Sequence, residues 1–97
     1  MLASEIEITA LRRRFVAASK EIAKDLSLLA GRIKDEPTEV RASQQAAAEE
    51  ITAAQERLRL EADQLEGPLE HRVAVMRTVL DAQQAAQQHL ARIKHQM

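Results

Sequence analysis

The chain contains no cysteine, tryptophan or tyrosine, and Phe15 is its one aromatic residue. Without cysteine it can form no disulfide and offer no thiolate to a metal, so thiol redox chemistry is excluded. No apolar run approaches the length of a membrane span, and the N-terminal residues, with Glu5 and Glu7, lack the basic-then-apolar layout of a signal peptide. We therefore expect no membrane partner and place the protein in the cytoplasm.

The chain also lacks an excess of charge of either sign. The 97 residues include 14 basic and 15 acidic side chains, for a formal net charge of −1. A general nucleic-acid binder needs many Lys and Arg contacts to phosphates, so we expect no nucleic-acid partner. The remaining composition, 45% apolar and 30% charged with two glycines, is typical of helical or coiled-coil proteins.

Gly31 weakens one turn, and the breaks in regular structure fall at two places, around Pro37 and at Gly67-Pro68. They divide the chain into three segments, for which we predict helices over about 4–34, 38–66 and 68–96. Ser4 followed by Glu7 matches a capping box at the first helix start. Gly67 is expected to supply a left-handed C-cap to the second helix, and Pro68 to open the third.

Apolar residues recur in each segment at spacings of three and four, which places them along one helix face. The first stripe consists of Ile8, Leu11, Phe15, Ala18, Ile22, Leu26, Leu29 and Ile33. The second consists of Val40, Ala47, Ile51, Ala54, Leu58 and Leu65, with Gln44 in one apolar position. The third consists of Leu69, Val73, Met76, Val79, Ala86, Leu90, Ile93 and Met97, interrupted at Gln83 and Gln84.

Three amphipathic helices with short links bury their stripes best against one another. We predict an all-α fold, an elongated antiparallel three-helix bundle that is coiled-coil-like and runs up-down-up. It forms a single domain over residues 1–97. Ile51 lies at the middle of the central stripe and should belong to the core.

Residues that could carry catalysis or bind a metal or cofactor do not form a recognisable pattern. His89 and His95 are six residues apart and so face different sides of a helix, and His71 has only Glu70 beside it. There is no glycine-rich phosphate loop, and no serine has a neighbouring base. We predict no enzyme activity, no cofactor and no metal.

A protein-binding surface is the remaining functional candidate. Arg12, Arg13 and Arg14 are the densest run of charge, and as three consecutive helical residues they span about 200° of the helix circumference, too wide an arc to clamp one phosphate. They could instead form ion pairs with an acidic partner surface. The exposed side of the second helix adds Glu39, Arg41, Gln45, Glu49, Glu50, Thr52, Glu56 and Arg59. The alternative is that neither surface binds a partner. The arginines would then cover the edge of the core with their stems and keep their charged heads in water, and the side of the second helix would be an ordinary solvated face of the kind that soluble helices commonly carry.

The residues Thr9–Phe15 resemble the opening-helix motif of the tubulin-binding cofactor A family, with arginines in place of lysine. Glu39-Val40-Arg41, followed by Gln44 or Gln45, is similar to the start of that family's second helix. The chain departs from the pattern at Thr38, where the family has tyrosine, and over 49–55, where it has no proline to bend the helix.

The resemblance implies a chaperone that holds β-tubulin folding intermediates without nucleotide, as a monomer or homodimer. Its partner-binding residues would be Arg12, Arg13, Glu39, Arg41, Gln45, Glu49, Thr52 and Glu56. The alternative is a helical adaptor or regulatory three-helix domain, of the membrane-fusion type or a self-associating coiled-coil subunit. An adaptor that awaits a helix should expose a continuous apolar groove, whereas a chaperone should be polar on all faces.

Overall fold

The computed structural model describes residues 3–96, and these fold into three helices. They are α1 (Glu5–Ile33), α2 (Thr38–Asp63) and α3 (Leu69–His95). The three predicted helices are therefore confirmed, and their bounds agree to within three residues. The predicted core position Met97 lies outside the described residues.

The second helix ends earlier than predicted, at Asp63. Leu65 leaves the helix and packs, half-buried, against a core cluster that includes Ile8 and Val73. Gly67 does have the predicted positive φ, at +96°, but it lies in the link and not at the helix end. Pro68 precedes α3 as its N-cap residue.

The capping box at the start of α1 forms only in part. Ser4 Oγ accepts a hydrogen bond from the Glu7 backbone N–H at 3.1 Å, as predicted. The Glu7 carboxylate, which a capping box directs back to the N-cap residue, pairs with Arg77 of α3. An interhelix ion pair thus replaces half of the local motif.

Ion pairs between α1 and α3 establish the direction of the helices. Glu7 pairs with Arg77, and Asp25 accepts from Lys94 Nζ at 3.2 Å. Residue numbers rise together along both helices, so α1 and α3 are parallel and α2 runs opposite to them. The predicted all-α, up-down-up three-helix bundle is confirmed, and its extents of 52 × 18 × 17 Å make it elongated.

The core divides into two apolar clusters along the bundle. One is built on Ile8, Leu11, Val73 and Met76. The other is built on Ile22, Leu29, Ile33, Ile51, Leu90 and Ile93. Gln83 lies on α3 between the two clusters and is 1% exposed. Its Nε2 donates to Ser19 Oγ at 3.0 Å and to the Phe15 carbonyl at 3.3 Å.

Helix α2 is packed less closely than its neighbours. Its buried residues are Ile51 and Gln44, whereas α1 and α3 bury five and six. The prediction that Val40 belongs to the core is wrong, because it is 41% exposed. Val40 lies in the first turn after Pro37, level with the link, where α1 has already ended at Ile33 and cannot cover it.

Candidate partner-binding face

A groove of about 250 Å³ separates α1 from α2 near the middle of the bundle. Its α1 side is formed by Ser19, Ile22, Ala23 and Leu26, and its α2 side by Thr52, Gln55, Glu56 and Arg59. Helix residues three, four or seven positions apart lie on one side of a helix. The exposed residues that continue or border these two stripes are Arg12, Arg13, Val16 and Lys20 on α1, and Gln45, Glu49 and Leu60 on α2. We call the groove and these flanking residues the α1/α2 face.

Most of the predicted partner-binding residues belong to this one face. Arg12 lies seven residues before Ser19, and Gln45 and Glu49 lie seven residues before Thr52 and Glu56. All of these predicted residues are exposed. Arg13 is exposed as well, and it lies three residues before Val16 and seven before Lys20, so it borders the same face. Glu39 is exposed in the first turn of α2.

The expectation that Arg41 belongs to an exposed surface is wrong. Arg41 is half-buried, and its Nη2 donates to the Glu36 carbonyl in the first link at 3.1 Å. Glu36 follows the end of α1, where backbone carbonyls lack helical partners. Arg41 Nη2 therefore ties the first link to α2, so one end of the guanidinium that was predicted to meet a partner already has an intrachain acceptor.

Glu56 and Thr52 already have intrachain partners. Arg59 donates from Nε to Glu56 Oε2 at 3.1 Å and from Nη1 to Asp63 at 2.9 Å. The hydrogen bond from Arg59 lowers the pKa of Glu56 below its ordinary value, and the same bond raises the pKa of Arg59. The Thr52 hydroxyl donates to the Ala48 carbonyl at 2.9 Å, so it offers a partner only its acceptor lone pairs.

The prediction from sequence did not include Val16, Lys20 and Leu60. Val16 and Leu60 are 49% and 42% exposed, and each lies off the apolar stripe of its helix. Their position outside the apolar stripe was the sequence signal that could have identified Val16 and Leu60 as exposed apolar residues. The ion pairs of Arg59 with Glu56 and Asp63 could also have been predicted from the sequence, since spacings of three and four favour ion pairs on a helix.

Charge differs systematically between the helices. Helix α1 carries six basic and four acidic side chains, whereas α2 carries three basic and six acidic ones. Helix α3 resembles α1, with four Lys or Arg and two acidic residues. The acidic α2 is therefore flanked by two basic helices, although the ion pairs found between helices in residues 3–96 all join α1 to α3.

The histidines do not assemble a site. His71 and His95 are exposed and His89 is half-buried at the edge of a groove between α2 and α3. Within residues 3–96, no three His, Asp or Glu side chains converge as metal ligands would. In the same part of the chain, no helix combines the length and the apolar character that a bilayer crossing requires.

Comparisons with known proteins do not assign the chain to a family. No family model matches it, and no significant match was found among curated proteins or solved structures. The resemblance to tubulin-binding cofactor A therefore stays a prediction based on the residues quoted above.

Proposed function

We propose that this protein is a non-catalytic binding module of the cytoplasm that captures a partner protein on its α1/α2 face. The observation that supports this proposal is the grouping of Arg12, Gln45, Glu49, Thr52 and Glu56 on one side of the bundle. Charged side chains on such a face steer and select a partner through complementary charge. The chemistry of the face is recognition, since it presents no nucleophile paired with a base.

The partner that we propose is a β-tubulin folding intermediate, because of the resemblance to tubulin-binding cofactor A. Within residues 3–96, the exposed large apolar residues are Ile6, Val16, Leu28, Val40 and Leu60. They are scattered over α1 and α2 and do not form a continuous apolar groove of the kind an adaptor would offer to a missing helix. This polar character favours the chaperone over that adaptor.

A helical adaptor is the second candidate, and one observation favours it. Helix α2 runs without interruption from Thr38 to Asp63, whereas the family's second helix is bent by a proline. An uninterrupted acidic helix presents a regular surface along its whole length, to which a basic helix of a partner can pair.

The test is capture of denatured-and-diluted α- and β-tubulin by the purified protein at low and high salt. We expect selective capture of β-tubulin that weakens at high salt, because exposed charges are screened. Glu49→Lys should reduce capture, whereas the matched control Glu50→Lys should not, since Glu50 borders the groove between α2 and α3. Capture of neither tubulin would reject the chaperone proposal, and equal effects of the two variants would reject the face.

A further inference from the structure

Two of the large exposed apolar side chains flank the groove of the α1/α2 face. Val16 lies three residues before Ser19 on α1, and Leu60 lies four residues after Glu56 on α2. Ser19 and Glu56 line the groove from its two sides. Because α1 and α2 are antiparallel, Val16 and Leu60 lie at the same position along the bundle axis to within one helical turn, which we call level.

Opposite charges flank the groove one turn further along. Lys20 lies four residues after Val16, and Glu56 lies four residues before Leu60, so this pair is also level. On the α2 side, Arg59 is shared between Glu56 and Asp63, and this cluster of three keeps one negative charge. The α1 side of the groove is thus basic and the α2 side acidic, with an apolar residue on each.

This arrangement is self-complementary. Consider a second copy related to the first by a two-fold axis that runs parallel to the helices, in front of the groove. This rotation leaves every residue at the same position along the bundle axis and brings α1 of one copy opposite α2 of the other. Lys20 of each copy then lies opposite Glu56 of the other, and Val16 opposite Leu60. Each contact occurs twice, as in any isologous interface.

We infer that two copies of this chain associate through their α1/α2 faces, with α1 of one copy antiparallel to α2 of the other. To reach the roughly 800 Å² per partner of a standard interface, the contact must extend beyond these four residues along most of the 52 Å side of the bundle. The pairing covers Glu49 and Glu56, so it would compete with capture of a partner on the same face. It is independent of the proposed function, because it needs no other protein.

Sedimentation velocity over micromolar to millimolar protein tests the inference. We expect a dimer that dissociates on dilution. Lys20→Glu and Glu56→Lys should each raise the dimer dissociation constant by about tenfold or more, since each places like charges opposite one another twice. An equimolar mixture of the two variants should dimerise again, because every contact then joins opposite charges.

The recovery on mixing distinguishes contact between copies from an effect within one chain. Glu50→Lys, which makes the same charge change outside the face, should leave dimerisation unchanged, and circular dichroism should show equal helix content in all variants. A wild-type protein that stays monomeric at every concentration would overturn the inference. So would single variants that dimerise normally, or a mixture that stays monomeric while both variants are folded.

Discussion

Gln83 of α3 donates a hydrogen bond to Ser19 of α1 at 3.0 Å, at the boundary between the two apolar clusters of the core. The Gln83 amide is fully buried, and its Oε1 has no hydrogen-bond partner within residues 3–96. The side chain therefore links α1 and α3 by two donor contacts while its oxygen loses solvation.

The loss in free energy of unfolding when Gln83 is replaced should depend more on the volume of the new side chain than on its polarity. Gln83→Ala removes both hydrogen bonds and leaves a cavity, so we expect a loss of about 2–3 kcal/mol in the free energy of unfolding. Gln83→Met keeps the volume and removes the unpaired oxygen, and it should remain within about 1 kcal/mol of wild type. Urea unfolding midpoints measure both. Equal losses for the two variants would show that the hydrogen bonds dominate.

Ile51 is the one apolar side chain of α2 that is buried, at 4% exposure. Ile51→Asp should unfold the bundle, because it places an unpaired carboxylate in the core cluster. Ile6→Asp is the matched control: Ile6 is 83% exposed in the first turn of α1, so the change should stay within about 0.5 kcal/mol. Circular dichroism of both variants checks this, and a folded Ile51→Asp protein would contradict the described core.

The two glycines should respond to alanine in opposite directions. Gly31 is helical with open space around its Cα, so Gly31→Ala should stabilise the protein by roughly 0.5–1 kcal/mol. Gly67 has φ +96°, so Gly67→Ala should cost about 1–2 kcal/mol. Thermal unfolding should therefore show a raised midpoint for the first variant and a lowered one for the second. A shift of the same sign in both would refute this account of the second link.

Amides of α2 should exchange hydrogen faster than those of α1 and α3. The helix has two buried residues, and its own ion pairs are internal, between Arg59 and the carboxylates of Glu56 and Asp63. Few buried contacts allow local opening at low free energy. Native-state hydrogen exchange by mass spectrometry compares the three helices directly, and equal protection of α2 would contradict its weaker packing.

Glu56 should titrate below its ordinary pKa because Arg59 hydrogen-bonds its carboxylate. A lowered folded pKa means that the pair stabilises the protein above the unfolded pKa and loses that effect as pH falls through the folded value. Arg59→Gln should raise the Glu56 pKa. Carboxyl carbon shifts in an NMR pH titration measure this change, and an unchanged midpoint would exclude the pair. The effect on stability should be small, because both groups are exposed and solvent-screened.

The sequence by itself determined the three helices, their two links and the all-α bundle. These features depend on local signals: apolar spacing, the Ser4 N-cap, Pro37 and the Gly67-Pro68 link. Each acts over a few residues, so each is readable without knowledge of the rest of the chain. The burial of Gln44, which the stripe of α2 places in an apolar position, followed from the same periodicity.

Only the tertiary structure decided which helices pack most closely and what each polar side chain contacts. Glu7 bonds to Arg77, 70 residues away, and no spacing rule encodes such a pair. Arg41 was a candidate for the exposed surface, but its Nη2 donates to the Glu36 carbonyl, because this carbonyl lies in the adjacent link and has no helical partner. The level arrangement of Val16 with Leu60, and of Lys20 with Glu56, likewise depends on the register of two antiparallel helices. That register is set by core packing and not by either helix alone.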